Sequence, residues 1–480
     1  MRSPSSPALP DGFGPRAGAL LFLCVFPCAL ACSGEPDAAR LAPGAPIVLV
    51  VVDTLRADAL GLYGGARPTS AELDQRARSG AVFEHAFAPA PWTLPSIGSL
   101  LTGRYPAQHG AGRRKVPQPD GSAKERFVAL DPAAPRLSAL LAAHGYATAA
   151  FATNSFLLPV FGFDKGFDTF DSGRSKQRDE RRADAMVDRA LAWIDAREPS
   201  KPWFLLLHLI DPHLPYDPPP AVAGRFTAGY HGALKEPVEP DVRDKIDSGA
   251  LVLDDADRAF LRDSYDEEVT SVAAQLARFL YGLEARGVLA RGLVFVTADH
   301  GEEFFDHGAF EHGHTLYQEL LRVPLVVWGT GVRPGRHVEP VSLVDVLPTV
   351  LDALGFAPGT ELDGASLWPL LGGGAAPGAR VLLAENSLYG DQRRALVQWP
   401  YKLIADVERP GLELYDLEHD PREREDLASS RAELAARLAT ELAAHAEAGP
   451  ARAGAALDEE TQREMNKLGY GGDRKLDDKR

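Results

Sequence analysis

Hydrophobic runs of strand length alternate with amphipathic segments of helical length along most of the chain. The first run, Ile-Val-Leu-Val-Val-Val at 47–52, is continuous and β-branched, which is typical of a parallel strand buried on both faces. Further strand patterns stand at 147–152, 203–209, 293–298 and 324–328, and helical patterns lie between them at about 135–144, 182–196, 259–286 and 343–354. The alternation predicts an α/β fold with a mostly parallel central sheet sandwiched by helices.

This pattern changes near residue 371, where a Gly-rich stretch, Leu-Gly-Gly-Gly-Ala-Ala-Pro-Gly-Ala, is typical of a connection. Beyond it come strand candidates at 380–384 and 396–406, then an Ala/Glu-rich helix from about 430 to 447. We therefore predict a main domain over 46–371, a small C-terminal α+β subdomain over 372–447 and a charged tail over 448–480.

The N-terminal residues have the pattern of an export signal. An apolar run between Arg16 and Cys32 has signal-peptide length and is short for a membrane span. Because Ala29-Leu30-Ala31-Cys32 is similar to a bacterial lipobox, we predict a signal peptide over 1–32 with lipidation at Cys32; a plain cleaved signal and an uncleaved anchor are the alternatives. The Pro/Gly-rich stretch 33–45 predicts a tether. The expected location is the bacterial cell envelope, facing the periplasm or the cell surface, with the lipid anchor as the only membrane contact.

Charge and cysteine content narrow the function. The formal net charge is −16, so there is no basic excess to displace counterions from nucleic acid, and no nucleic-acid partner is expected. All three cysteines, Cys24, Cys28 and Cys32, lie in the N-terminal segment. The body of the protein therefore has neither a disulfide framework nor a cysteine metal site.

Acids and histidines follow three of the predicted strands at the point where each ends. Asp53 follows the first, Asp211 and His213 follow the third, and Asp299-His300-Gly301-Glu302 follows the fourth. The carboxyl ends of parallel strands meet at one edge of a sheet, where ligands bind. A single aspartate there is more simply a helix N-cap, but three such clusters in one sheet favour a metal site.

A fourth candidate is the segment from Pro91 to Pro106. Thr93 stands two residues before Pro95, which predicts a helix start with the hydroxyl near the N-cap. Free backbone N–H groups and the positive end of the helix dipole would make an anion site there and favour an ionised nucleophile. An ordinary N-cap threonine explains this segment when it is taken alone.

The same segment resembles the signature of the sulfatase family in the alkaline phosphatase superfamily, Cys/Ser-x-Pro-x-Arg followed by Leu-Leu-Thr-Gly-Arg-Tyr-Pro. The resemblance continues in order from about 46 to 430, through Asp53, Asp211-Pro-His213, Asp299-His300-Gly301-Glu302, the stretch from His314 to Pro324, Val344-Asp345 and Glu413-Leu-Tyr415-Asp416. It implies an alkaline-phosphatase-like fold, a divalent metal and ester hydrolysis, which makes 46–371 the catalytic domain.

The chain departs from the family pattern at the reacting group. Family sulfatases oxidise a cysteine or serine at the position of Thr93 to formylglycine, and threonine cannot give that aldehyde. Ile97 stands where arginine is expected, Thr54 where a second aspartate is usual, and His300 where many members have asparagine. Losing a carboxylate and gaining an imidazole favours Zn²⁺ or Mn²⁺ over Ca²⁺ or Mg²⁺.

The resemblance implies that Asp53, Asp299 and His300 hold one metal ion, and that Thr93 Oγ completes its shell and acts as the nucleophile. Because this aspartate and arginine are missing, the chain resembles more strongly those members of the alkaline phosphatase superfamily that use a metal-bound threonine as nucleophile.

Further residues are expected to bind the non-bridging oxygens or protonate the leaving group: Asn154, His213 and His314. A second metal on Asp211, His213 and His314 is the alternative. Glu302 is expected to orient His300 or cap the next helix, and His208 to support the site or the core. Of His307 and His312, one could line the pocket.

The expected function is therefore a metal-dependent hydrolase of sulfate or phosphate esters that acts on a small molecule or on a glycan or lipid ester. One alternative is a phosphoethanolamine- or phosphoglycerol-type transferase acting on envelope glycans or lipids. Such transferases usually carry several membrane helices before the catalytic domain, whereas this chain has one short apolar segment. Another alternative is a catalytically inactive, sulfatase-like binding lipoprotein.

Overall fold

The computed structural model describes residues 40–117, 120–172, 181–447 and 454–465. The predicted signal peptide with Cys32, most of the predicted tether and most of the predicted tail lie outside the described residues. Within those ranges, no helix combines the length and the apolar character needed to cross a membrane.

The strands are distributed over the whole described chain: β1 (Ile47–Val52), β2 (Ala81–Phe83), β3 (Ala86–Phe87), β4 (Gly112–Pro117), β5 (Ala123–Val128), β6 (Ala147–Phe151), β7 (Thr169–Asp171), β8 (Trp203–Leu209), β9 (Leu293–Ala298), β10 (Glu303–Phe304), β11 (Phe310–Glu311), β12 (Arg322–Val323), β13 (Leu325–Gly329), β14 (Gly335–His337), β15 (Val341–Ser342), β16 (Leu382–Glu385), β17 (Arg393–Gln398), β18 (Tyr401–Asp406) and β19 (Leu412–Asp416).

The α-helices lie between and after these strands: α1 (Ala71–Ala77), α2 (Thr93–Thr102), α3 (Pro106–His109), α4 (Leu137–Ala143), α5 (Ala183–Ala196), α6 (Asp241–Asp247), α7 (Asp255–Ala285), α8 (Gln318–Leu321), α9 (Val346–Leu354), α10 (Trp368–Leu371), α11 (Ala432–Glu447) and α12 (Glu459–Met465). Short 3₁₀ helices occur at Ala57–Ala59, Gly61–Tyr63, Ser155–Leu157, Pro159–Phe161 and Leu343–Asp345.

Eight strands form the central sheet in the order β14-β2-β13-β9-β1-β8-β6-β7. Five adjacent strands, from β9 to β7, are parallel, and β13 is antiparallel to both of its neighbours. β1 lies near the middle, and all six of its residues have no exposed surface, as the continuous hydrophobic run predicts. The prediction of a mostly parallel sheet with packed helices is confirmed.

The C-terminal part forms a separate antiparallel sheet, β16-β17-β18-β19, with α11 packed against β17, β18 and β19. The single strand candidate at 396–406 is wrong, because it is a hairpin of β17 and β18 that turns at Trp399 and Pro400. Both faces of this hairpin are buried: alternate residues pack under α11 or against the main core. Because neither strand alternates between polar and hydrophobic residues, the two strands look like one long strand in the sequence.

A buried ion pair of the C-terminal part contacts the first residue of α8. Lys402 Nζ lies 2.8 Å from Glu423 Oε1, and neither side chain is exposed. Glu423 Oε2 accepts the backbone N–H of Gln318 at 2.6 Å. The carboxylate therefore has two partners, one from each part of the chain.

Replacing Lys402 with methionine is expected to destabilise the protein by about 3–5 kcal/mol, because it leaves a buried carboxylate without its counter-charge. Urea unfolding at neutral pH measures this change. The double variant Lys402→Met/Glu423→Gln should recover much of the loss. The exposed pair of Lys245 and Asp241 supplies the control, since Lys245→Met should cost about 0.5 kcal/mol or less. A Lys402→Met protein as stable as the native one would contradict this reading of the pair.

Candidate active site

Strand register brings the predicted site residues to one edge of the central sheet. Val52, at the end of β1, pairs with Ala298 of β9 and with Leu209 of β8. Asp53 and Asp299 come directly after these paired residues. The backbone N–H of Asp53 continues the ladder by donating to the carbonyl of Leu209 at 2.9 Å. The two aspartates therefore leave neighbouring parallel strands at the same level.

Among the described residues, Asp53, Asp299 and His300 form the one group whose geometry could hold a metal ion. One ligand atom from each lies within 4.8 Å of the others, and all three residues are buried. His300 Nε2 is 3.7 Å from Asp53 Oδ1 and 3.5 Å from Asp299 Oδ2. Thr93 Oγ1 lies 3.4 Å from the same nitrogen. The structure thus brings together the four residues that the sequence proposed as a metal shell.

The hydrogen bonds of this group leave its ligand atoms available for a cation. Asp53 Oδ1 and Asp299 Oδ2 are buried and have no hydrogen-bond partner among the described residues. Asp299 Oδ1, in contrast, accepts the N–H groups of Thr54 and His300 at 3.2 and 2.8 Å. His300 Nδ1 donates to the carbonyl of Gly301 at 2.9 Å, so its Nε2 carries a lone pair. Two buried carboxylate oxygens and an imidazole lone pair fit a divalent cation.

Electrostatics supports the same conclusion. Burial, followed by the charge of Asp299, raises the pKa of Asp53 well above its usual range. Two buried aspartates with unpaired oxygens repel one another, and that repulsion is costly in the absence of positive charge. A divalent cation at this place would remove the cost, and these carboxylates are therefore suited to one.

Helix α2 positions Thr93 beside this group. Thr93 is the first residue of the helix and Trp92 is the N-cap, so the hydroxyl lies one position later than an N-cap would. Ser96 Oγ donates to the carbonyl of Asp299 at 2.6 Å and ties the first turn to the end of β9. Ile97 is 1% exposed and packs in the core. The position of the family's signature arginine is therefore an apolar packing position in this chain.

Asn154 connects Asp53 with Thr93. Its Nδ2 donates to Asp53 Oδ2 at 2.6 Å and to Thr93 Oγ1 at 3.2 Å. Its Oδ1 accepts the backbone N–H of Phe156 at 2.7 Å, at the start of a 3₁₀ helix. Because both ends of the amide are bonded, its orientation is fixed, with an N–H group directed at the Thr93 hydroxyl.

Two further buried polar groups lie next to Asp53. Thr54, where the family usually has a second aspartate, has a positive φ of 53°, and its hydroxyl has no hydrogen-bond partner among the described residues. His208 Nε2 lies 3.6 Å from Asp53 Oδ2. Burial lowers the pKa of His208 to about 4, which keeps the imidazole neutral near neutral pH. His208 therefore lies beside the Asp53 carboxylate as an uncharged group, where it can support the site.

His213 and His312 form a second group on the border of the metal-site residues. The ring centroid of His312 lies 4.6 Å from that of His300 and 5.1 Å from that of His213. Glu302 Oε1 bonds with His312 Nδ1 at 2.8 Å, and the Tyr216 hydroxyl donates to Glu302 Oε2 at 3.2 Å. Glu302 therefore orients His312 and not His300, which uses the Gly301 carbonyl instead.

The sequence offered His307 and His312 as alternatives for the pocket wall, and it placed His314 in the site. The structure gives His314 a different partner, since its Nε2 bonds with buried Glu303 Oε2 at 2.8 Å. Glu303 is the first residue of β10 and Glu302 directly precedes it, and consecutive side chains of an extended segment point in opposite directions. Glu302 therefore bonds with His312, and Glu303 bonds with His314. The signal in the sequence that could have indicated His312 was the presence of two consecutive glutamates and two nearby histidines that could pair with them.

The predicted second metal site is not brought together. Within the described part of the chain, Asp211, His213 and His314 do not form a group with metal-binding distances. Asp211 Oδ2 accepts the backbone N–H of Ala183 at 2.7 Å, at the start of α5, and His314 is held by Glu303. Asp211 is thus committed to a helix start, the simpler role of an aspartate that follows a strand.

A cavity of about 210 Å³ opens beside the histidine pair. Its wall includes His213, His312, the residues on either side of Asn154, and Arg181, whereas Thr93 is not part of the wall. The cavity therefore adjoins the candidate reacting group and does not contain it.

A mostly parallel sheet with two aspartates and a histidine at its strand ends, beside a hydroxyl at a helix start, is the arrangement that the resemblance to the alkaline phosphatase superfamily implies. The sequence model of the sulfatase family, described as "Sulfatase", matches residues 46–356, about two thirds of the chain. The chain therefore belongs to the sulfatase family and is a sulfatase-like ester hydrolase, which confirms the predicted family. A second model, "N-sulphoglucosamine sulphohydrolase, C-terminal", matches residues 305–448.

Known relatives and structures agree with this assignment. An arylsulfatase of Clostridium perfringens (strain 13 / Type A) is 26% identical over 443 residues, which cover 80% of this chain and 90% of that protein. A protein solved in complex with its substrate D-glucosamine-2-N,6-O-disulfate superposes with a TM-score of 0.68 at 20% identity, covering 92% of this chain and 100% of that one. The phosphonate monoester hydrolase of Agrobacterium radiobacter gives 0.65 at 19% identity, covering 84% and 96%. These similarities to solved structures support the fold.

Proposed function

We propose that this protein hydrolyses sulfate or phosphate-type esters with the Thr93 hydroxyl as its nucleophile. The observation that carries the proposal is the position of Thr93 Oγ1, 3.4 Å from His300 Nε2 and 3.2 Å from Asn154 Nδ2. A hydroxyl at a helix start, facing an amide N–H, has its alkoxide form stabilised by both. The similarity to an arylsulfatase and to a phosphonate monoester hydrolase supports an ester of sulfur or phosphorus.

Asp53, Asp299 and His300 would hold a divalent cation, with Thr93 Oγ1 as a further ligand. Two carboxylate oxygens, an imidazole and a hydroxyl favour Zn²⁺ or Mn²⁺ over Ca²⁺ or Mg²⁺, which prefer all-oxygen sites. When bound, such a cation lowers the pKa of the threonine hydroxyl and neutralises charge that develops on the reacting group.

The reaction then divides into two displacements at the sulfur or phosphorus atom. In the first, Thr93 Oγ1 forms a bond to that atom, the bond to the ester oxygen breaks, and the alcohol leaves after taking a proton. In the second, water adds to the same atom, the bond to Thr93 Oγ1 breaks, and the hydroxyl regains a proton. The products are the alcohol and the free acid, and the side chain is restored.

His312 is suited to relay a proton to the leaving oxygen. Burial lowers its pKa well below the usual range, so the neutral ring must first take up a proton, and because Glu302 holds Nδ1, Nε2 is the atom that exchanges it. His213 lines the same cavity with its Nδ1 directed at the carbonyl of Leu214. Asn154 donates to Thr93 Oγ1 and would hold a non-bridging oxygen there.

The natural substrate we expect is a small molecule or a glycan or lipid ester. Export to the cell envelope and lipidation at Cys32 remain part of this proposal, on the strength of the N-terminal pattern alone. The solved neighbour in complex with a disulfated glucosamine supports a sugar ester.

Threonine is expected to favour phosphorus esters over sulfate esters in continuous turnover. An aldehyde hydrate has two hydroxyls on one carbon and can expel a bound acid by restoring its carbonyl group. Threonine has a single hydroxyl, so its ester must be cleaved by water at sulfur or phosphorus. The measurement is p-nitrophenol release from the phosphate monoester, the phosphate diester, the phenylphosphonate and the sulfate. We expect multiple turnovers with a phosphorus ester and a burst of about one equivalent with the sulfate.

Mass spectrometry of the intact protein after the burst should find the acid group on the peptide that contains Thr93. Sulfate turnover faster than that of every phosphorus ester, without a modified Thr93, would contradict the threonyl intermediate. Inertness toward all four esters would contradict the hydrolase proposal and favour a binding protein.

A further inference from the structure

We propose that Arg181 binds a second negative charge on the substrate, so that the preferred esters have a leaving group that carries an oxyanion such as a carboxylate. The inference rests on the proposed function, because it takes the cavity beside His213 and His312 as the place of the leaving group. It concerns the choice of substrate and not the reaction at Thr93.

The charged side chains of the cavity wall are three arginines and two carboxylates, and most of them have partners. Arg182 donates to the carbonyl of Asp217 at 2.9 Å and to its Oδ2 at 2.8 Å. Arg243 forms a buried ion pair with Glu311 and donates to the Tyr389 hydroxyl at 3.2 Å. These two arginines therefore already have partners within the protein.

Arg181 differs from these two arginines. Its Nε is buried and has no hydrogen-bond partner in the part of the chain that the structure describes, and no ion pair of Arg181 occurs there. A desolvated N–H without an acceptor is unfavourable, and a charged acceptor is the strongest partner that a guanidinium can gain. The planar fork of donors also matches the two oxygens of a carboxylate.

The position of Arg181 decides which part of a substrate it meets. The cavity wall contains Thr153 and Ser155, on either side of Asn154, together with His213 and His312, and Thr93 lies outside it. The reacting acid group belongs at Thr93, so a group inside the cavity lies on the alcohol side of the ester. A cation there would bind a second anionic group on the alcohol and not the ester group that is cleaved.

The overall charge makes such a local cation necessary. With a formal net charge of −16, the protein repels an anionic substrate at long range. An unpaired arginine within the cavity supplies local attraction and selectivity, since a charged acceptor binds a guanidinium N–H more strongly than a neutral one does.

The test compares esters of 3-hydroxybenzoate and 3-hydroxybenzamide, which differ by one charge and little in shape. The reacting group is the acid that the p-nitrophenyl panel identifies. The full chain with its bound metal is used in native form and as Arg181→Gln and Arg181→Lys. Arg437→Gln, on the exposed side of α11, is the control with the same loss of charge.

We expect kcat/KM for the benzoate ester to exceed that for the benzamide ester by about ten-fold or more in the native protein. The ratio should fall to about one in Arg181→Gln, remain intermediate in Arg181→Lys and keep its native value in Arg437→Gln. A native ratio near one, or an unchanged ratio in Arg181→Gln, would overturn the inference.

Calorimetric binding of 3-hydroxybenzoate and 3-hydroxybenzamide to the same proteins separates the two proposals. Tighter binding of the benzoate that disappears in Arg181→Gln supports the Arg181 site even if no ester is cleaved, and in that case only the hydrolase proposal fails. Ester cleavage with equal binding of both compounds refutes the Arg181 site and leaves the hydrolase proposal standing.

Discussion

Replacing Thr93 with alanine is expected to lower kcat/KM for the best ester substrate by at least about a thousand-fold. The variant removes the only atom that can form the covalent bond to sulfur or phosphorus in the proposed reaction. It also removes an acceptor of the Asn154 N–H and leaves the metal-site residues Asp53, Asp299 and His300 unchanged. Steady-state kinetics with the p-nitrophenyl ester that turns over fastest measures the loss.

A second threonine of the same helix provides the matched control. Thr102 is fully buried and its hydroxyl donates to the carbonyl of Gly98 at 2.7 Å. Thr102→Ala should therefore change stability modestly and keep the activity within a few-fold of native. Thr93→Ser retains a hydroxyl and should keep a measurable part of the activity, together with covalent labelling. Native-like rates in Thr93→Ala would end the case for this nucleophile.

Much of the fold could be predicted because parallel strands buried on both faces leave a simple pattern. The runs at 47–52, 203–209 and 293–298 became β1, β8 and β9 within a residue. The C-terminal hairpin was missed because both of its faces are buried, so its two strands show no alternation and one long strand was predicted across the turn at Trp399 and Pro400. The antiparallel direction of β13 was also beyond the sequence, since its hydrophobic run looks the same in either direction.

The site was predictable where residues follow strand ends and unpredictable in the loop after β9. Asp53 and Asp299 meet because strand register fixes their level. The loop carries His307, His312 and His314, and no periodicity states which ring faces the site. The orientation of each ring depends on the glutamate that it bonds with, and each of the three histidines bonds with a different one. These glutamates come from the same loop or from α8. Such pairings depend on side-chain direction and not on spacing.

The departures from the family signature fit together in the structure. Ile97 occupies a core position, Thr54 has a buried hydroxyl in place of a second carboxylate, and Thr93 has an oxygen that needs no oxidation to react. A site with less negative charge and no formylglycine is consistent with a metal-assisted hydroxyl nucleophile. These departures support the proposed threonine nucleophile in a chain that belongs to the sulfatase family.

Metal removal is expected to abolish ester hydrolysis, and Asp299→Asn is expected to lower it by about a hundred-fold or more. Asparagine can keep the Oδ1 bonds to the N–H groups of Thr54 and His300 while it replaces the unpaired Oδ2 with an amide nitrogen that does not bind metal. Zn²⁺ or Mn²⁺ should restore the native protein after chelation, and Ca²⁺ should not. Because the metal-free site raises the pKa of Asp53, metal binding should release a proton and tighten as pH rises.

Elemental analysis and thermal unfolding provide readouts that do not depend on turnover. The native protein should contain about one equivalent of metal, and excess metal at about a hundred times its Kd should stabilise it by about 2.7 kcal/mol. Asp352→Asn is the control, since Asp352 in α9 is not part of the metal group and accepts a hydrogen bond from Ser366 Oγ. It should retain the metal, whereas Asp299→Asn should lose both the metal and the stabilisation. Full activity in a chelated protein, or a preference for Ca²⁺, would contradict the donor set assigned to Asp53, Asp299 and His300, because an imidazole ligand is what separates this site from an all-oxygen one.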